Sequence, residues 1–182
     1  QGAGDVRAAV KVNGSLGGFG YGVFAATEGD DVGRDFYAVR ATRDFAEHGL
    51  GAMVTYVDRP FLDRTAMTYS VDHKWTPNAG TNIRTTLVGS RVEQAGNTFR
   101  DTGAQVRVDH EIGGGWRQQL FALHTGGDLR LNDFGFLERN NFNYLRYQVT
   151  RRITDLPEGS QASSHQLSAA VSYRGNDNGV HI

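Results

Sequence analysis

Three carboxylates hold whatever acid–base chemistry this sequence offers: Asp72 in "YSVDHKW", and Asp109 and Glu111 in "VRVDHEI". Asp109 and Glu111 are two positions apart, so an extended backbone projects both from one face. Asp72 would reach the same space if the sheet curves. Two carboxylates lining a cavity at ~5–10 Å are the equipment of glycoside hydrolysis. The competing reading is an ion-pair ladder in which Arg84, Arg107 and Arg146 neutralise these acids, and we favour it because such charged walls are common in β-barrel interiors. Other chemistry is thinly represented. "HEIGG" begins at His110 like a zinc-protease motif but has no second histidine at the required spacing. His48, His73, His124, His165 and His181 are dispersed, so neither a metal site nor a cofactor is expected. "NGSLG" lacks the frame of a nucleophile elbow. "GGFGYG" has alternating glycines with no Lys-Ser/Thr pair behind them, unlike a phosphate loop.

The elements that must position these groups are strands. In "GAQVRVDHEI", Ala104, Val106, Val108, His110 and Ile112 alternate with Gly103, Gln105, Arg107, Asp109 and Glu111. That period of two marks a strand with one apolar and one strongly polar face. It recurs around Tyr37–Ala41, Tyr69–Trp75, Leu145–Val149 and Leu167–Tyr173, and more weakly over Val6–Val12, Phe19–Thr27, Leu50–Tyr56, Ile83–Leu87 and Trp116–Thr125. About ten strands and no helix result. In the Trp116 segment Leu120 and Phe121 compete for the apolar face, which leaves its register open.

The connections alternate in length. "NGSLG", "AEHG", "TPNAG" and "GGG" close tight turns, whereas "EGDDVGRD", "DRPFLDR", "EQAGNTFRD" and the Leu129–Asn143 stretch read as longer links. Short turns on one side and long loops on the other suit an up-and-down transmembrane barrel. "TDLPEGSQASS" departs from that rule. Alternation alone also fits a soluble sandwich or a lipocalin-like barrel. Three features favour lipid outside: long strands; thin Ala/Val-rich apolar faces with Phe45, Tyr56, Trp75, Trp116 and Tyr173 near strand ends; and polar faces dense in arginine, only Lys11 and Lys74 being lysine among 19 basic residues. Arg43, His73, His110 and Arg151, set into apolar faces, read as interfacial residues. A net charge of −1 points to neither nucleic acid nor an anionic membrane surface, and cysteine is absent.

"LRLNDFGFLERNNFNYLRYQVTRR", with "GYGVFAATEGDD" and the "DFYAVRATRDF…GLGAMVT" hairpin upstream, resembles the C-terminal barrel domain of a bacterial outer-membrane family. Members usually carry an N-terminal carbohydrate-binding module of the family 9 type, and the barrel is a domain of unknown function. The resemblance implies a Gram-negative outer-membrane location with lipid as partner and glycans reached through a module outside this sequence. It also implies that residues 1–182 form one partial barrel domain. The expected fold is therefore all-β, an antiparallel up-and-down meander of about ten long strands belonging to a transmembrane barrel. Two function classes follow: a non-enzymatic barrel acting as channel, docking platform or anchor, and an envelope enzyme acting on carbohydrate. A soluble all-β binding domain is the remaining alternative.

The Leu129–Asn143 connection has too many apolar residues to be left in water. We expect it to fold inward, packing Phe134 and Phe136 with their neighbours against the glycines of "GGFGYG" and narrowing the lumen. Asp133, Glu138 and Arg139 would then be held by lumen charges such as Arg40 and Arg146.

Overall fold

A computed structural model describes residues 5–29, 33–133, 135 and 137–180. It contains ten strands: β1 (Val6–Leu16), β2 (Phe19–Glu28), β3 (Asp35–Phe45), β4 (His48–Arg59), β5 (Arg64–Asn78), β6 (Thr81–Gln94), β7 (Asn97–Gly113), β8 (Trp116–Thr125), β9 (Phe142–Ile153) and β10 (His165–Gly175). A single 3₁₀ turn, Pro60–Leu62, joins β4 to β5. Every strand pairs antiparallel with its sequence neighbours, giving one ten-stranded sheet in the order β1 to β10. Among the described residues β1 and β10 do not pair with each other, so the sheet is open. The all-β meander expected from the period of two is present, but these strands do not close a barrel.

Register places the two kinds of side chain on opposite faces. Gln105, Arg107 and Asp109 of β7 stand opposite Thr86, Arg84 and Asn82 of β6, while Val106 and Val108 stand opposite Thr85 and Ile83. In β8, Leu120 faces Val108 and Phe121 faces Arg107, which assigns Leu120 to the apolar face and Phe121 to the polar one. The register left open by the sequence is resolved there.

One end of the sheet carries tight turns, except for the long 154–164 link between β9 and β10, the departure expected of "TDLPEGSQASS". Gly17 and Gly18 lie at φ 58° and 82°, the paired positive values of the two-residue hairpin turn that matches strand twist. The other end carries the longer links at 29–34, 60–63 and 126–141, but the expected link "EQAGNTFRD" is not one of them. β6 and β7 run on to Gln94 and Asn97 and turn through Ala95 and Gly96 alone, at φ 48° and 78°. Polar residues on both faces made this strand extension look like a loop.

Burial is concentrated on the polar face at the long-loop end. Val57, Ala66 and Val92 of β4, β5 and β6 are buried, with Thr55, Ser90 and Ala38 beside them. Val57 stands opposite Ala66 and Ala66 opposite Val92, a row of small side chains that leaves room for something to lie on top. Among the described residues nothing covers the apolar face: Val10, Val39, Val54, Val71, Leu87 and Val171, on six different strands, are all exposed.

Candidate functional site: the loop-covered polar face

The segment 126–141 leaves β8 and turns over the polar face. Its first anchor is Leu129, only 1% exposed, seated where Gly103 of β7 leaves a gap. A Cβ on Gly103 would come within 3.0 Å of Leu129 Cδ2 and 2.9 Å of the His124 carbonyl, so the absent side chain is what admits the leucine. The Arg130 amide donates to Ser90 Oγ at 2.9 Å, and its guanidinium lies 3.5 Å from the centre of the Phe99 ring. Behind these contacts Asp101 accepts hydrogen bonds from the amides of Asp128 and Thr102, at 2.9 and 2.7 Å.

The second anchor is Asp133, 8% exposed. Arg64 of β5 donates to both of its oxygens, Nε to Oδ1 at 3.0 Å and Nη2 to Oδ2 at 2.5 Å, while Arg59 Nε of β4 approaches Oδ1 to 3.4 Å. The bidentate fork fixes the position as well as the charge of the carboxylate. Arg64 also donates through Nη1 to Gln94 at 2.7 Å. Within the loop Asn132 Oδ1 accepts from the Leu137 amide at 2.6 Å, and Asn140 donates to the Gly127 carbonyl at 2.7 Å. Nearby, in the β2–β3 link, Arg34 donates to both oxygens of Glu28 at 2.5 Å, and these hydrogen bonds raise the guanidinium pKa above its ordinary value.

The described part of this connection therefore lies over the polar face, with partners other than those expected. Asp133 is held by Arg64 and Arg59 instead of Arg40 or Arg146. No described loop residue rests on the glycines of "GGFGYG": a Cβ at Gly22 would meet nothing within 4 Å, and one at Gly20 would meet Thr42. The glycine that matters is Gly103. Glu138 and Arg139 are exposed, and Arg139 lies 5.6 Å from the Phe142 ring centre. Phe134 and Phe136, the aromatics expected to pack inward, lie outside the described residues.

Further toward the tight-turn end the polar face carries the candidate carboxylates. Asp72 pairs with Arg40 at 2.8 Å across the intervening β4. Gly51 makes this reach possible, because a Cβ there would stand 2.7 Å from Arg40 Nη2. Asp109 accepts from Arg107 Nε at 2.9 Å, from Arg117 Nη2 at 3.3 Å and from Gln119 Nε2 at 2.5 Å. Glu111 is exposed on the same face. Asp72 and Asp109 thus have arginine partners, as a ladder requires. Of the arginines expected in it, Arg107 holds Asp109, Arg146 donates instead to Gln148 at 2.8 Å, and Arg84 stands opposite Arg107 and Lys74 without a carboxylate among the described residues. No group of three or more His, Asp or Glu able to hold a metal exists among the described residues.

The apolar face has its own pattern. At the tight-turn end Phe45, His48 and Trp75 stack in sequence, at centroid separations of 5.5 and 5.8 Å; Arg43 covers Phe19 at 4.5 Å and Arg151 covers Trp116 at 5.2 Å. His73 and His110, expected at an interface, bond to His48 and Thr81 at 2.9 and 2.8 Å. At the other end Tyr37 and Tyr56 lie 6.3 Å apart.

Arg59, Arg64, Ser90 and Gly103 were not singled out by sequence reasoning. The arginines bracketing "DRPFLDR" were the available signal for the clamp. These features define a class by architecture: a single-sheet antiparallel meander, apolar and aromatic-rimmed on one face, charged and loop-covered on the other. Compared with known proteins, the chain matches no family model, no curated protein and no solved structure.

Proposed function

We propose that this chain is part of the wall of an outer-membrane β-barrel, with the apolar face against lipid and the polar face lining a lumen that the 126–141 loop narrows. Its role on this reading is that of a channel, docking platform or membrane anchor. The observation that carries it is the exposed apolar face. Large hydrophobics from β1 to β10 lie uncovered on the face opposite the charges, a pattern that water penalises and lipid does not. The dimensions agree. From His48 to Tyr56 along β4 the face reads Leu50, Ala52, Val54, a span of ~26 Å at 3.3 Å per residue. A strand tilt of ~40° reduces this to a height of ~20 Å, near the ~25 Å apolar band of membrane barrels. No described helix is long and apolar enough to cross a membrane, which says nothing about crossing by strands.

The open edges of β1 and β10 fit the reading only if other strands cover them, since lipid cannot satisfy unpaired backbone groups. The resemblance to a family whose barrels accompany a glycan-binding module supports the same location. Hydrolysis of carbohydrate is the weaker reading, because two of the three candidate carboxylates, Asp72 and Asp109, sit in arginine ion pairs, the arrangement a charged wall requires. The test is a pair of substitutions on one strand of the complete protein. Val108→Arg should disrupt membrane assembly by ~2–4 kcal/mol if it lies near the bilayer midplane, while Gln105→Arg should be tolerated. Loss of the heat-modifiable folded form in the first variant alone supports the assignment. Equal behaviour of the two variants overturns it.

A further inference from the structure

The polar face over β8, β9 and β10 holds a group of side chains that neither the clamp nor the ion pairs use. Phe121 and Tyr144 meet at 5.8 Å and Tyr144 stacks on Phe142 at 6.2 Å, so three rings from two adjacent strands step along the wall toward the loop. Arg174 of β10 lies 5.4 Å from the Tyr144 ring centre. Two adjoining depressions share Tyr144: one of about 580 Å³ bounded by Phe142, Arg139 and Arg174 with Glu138 at its edge, the other of about 310 Å³ bounded by Phe121, Arg146 and the Asp109-paired Arg107. Among the described residues Arg139, Arg146 and Arg174 have no carboxylate within 4.0 Å, in contrast to Arg40, Arg64 and Arg107. The structure thus places guanidinium groups without a carboxylate partner, Arg146 donating only to the neutral Gln148, beside a run of aromatic faces in clefts of small-ligand size.

We propose that this wall is a binding track for ring-bearing carboxylates, the ring stacking on Tyr144 and its aromatic neighbours while Arg146 and Arg174 hold the carboxylate. The chemistry follows from the parts. A guanidinium fork matches a carboxylate and discriminates it from a neutral group. Aromatic faces attract flat rings and the positive edges of C–H bonds, without demanding one particular ring. The proposal rests on the polar face being a water-filled lumen, and it adds to that reading the class of solute the lumen would select.

The test is isothermal titration of the complete folded protein with benzoate, glucuronate and glucose, at 50 and 500 mM salt, which reads binding whether or not a pore conducts. Binding of either acid that weakens several-fold at high salt, with no glucose binding, supports the track, and the preferred acid tells an aromatic from a sugar source. Tyr144→Ala and Arg174→Gln should each weaken it by about tenfold, and Arg84→Gln, away from the wall, should not. No binding of either acid, or glucose binding as well as glucuronate does, overturns the proposal even if the variants fail to fold, because that comparison uses the unmodified protein. Failure of the barrel reading shows elsewhere, as a Val108→Arg variant that assembles normally.

Discussion

The Asp133 clamp offers the sharpest perturbation of the loop. Asp133→Ala removes a carboxylate whose side chain is 4% exposed and leaves Arg64 and Arg59, at 14% and 19%, facing each other without it. Breaking a buried pair on one side costs ~3–5 kcal/mol, because the orphaned charge remains desolvated. Water reaching the long-loop end of the face lowers that figure, so ~2–3 kcal/mol is expected at this partly buried site. The loss should appear as local opening of 126–141, since β4 and β5 keep their full ladder of pairs. Hydrogen exchange at the Leu129 and Arg130 amides should accelerate by ~30–150-fold, with the strand amides of β4 and β5 unchanged. A double-mutant cycle with Arg64→Ala isolates the pair and should give a coupling of at least ~1.5 kcal/mol. Unchanged exchange at Leu129, or a coupling near zero, would show that the loop is held by something other than this clamp.

Two glycines on the polar face give independent checks. Gly103→Ala should displace Leu129 and raise loop exchange much as the clamp variant does, and it should also lower the overall melting temperature, because its Cβ meets the His124 carbonyl as well. Gly51→Ala should separate Arg40 from Asp72; losing that half-exposed pair costs no more than ~1 kcal/mol, to which the forced shift of both side chains adds, and a denaturant midpoint identical to wild type would refute the crossing geometry.

Much of this fold was legible because a strand's period of two survives in residue types. Val106, Arg107, Val108 and Asp109 each declare a face, and one correctly phased strand fixes the next through pairing. The signal failed where it had to. β8 puts Phe121 on the polar face to meet Tyr144, a packing demand that hydropathy cannot distinguish from an outward position. The β6–β7 hairpin was hidden because its last residues are polar on both faces, so Ala95 and Gly96 looked like the middle of a loop. Asp133 and Arg64 are 69 positions apart, and no local pattern couples them. The idea that a glycine admits the loop was sound, yet Gly20 and Gly22 drew attention through their repetition, while Gly103 has no second glycine near it in β7, whose other glycine is the terminal Gly113.

The central claim is that β7 presents alternate residues to lipid and to water. The chain has no cysteine, so single cysteines can be placed without background. Ala104→Cys, Val106→Cys and Val108→Cys sample the apolar face, and Gln105→Cys with its cross-strand neighbour Thr86→Cys samples the polar one. Each is labelled with a small fluorophore in the complete protein, reconstituted in vesicles and quenched in turn by brominated acyl chains and aqueous iodide. The account predicts lipid quenching at 104, 106 and 108 and iodide quenching at 105 and 86. Iodide quenching at all five positions, or lipid quenching that follows the polar face, would contradict it.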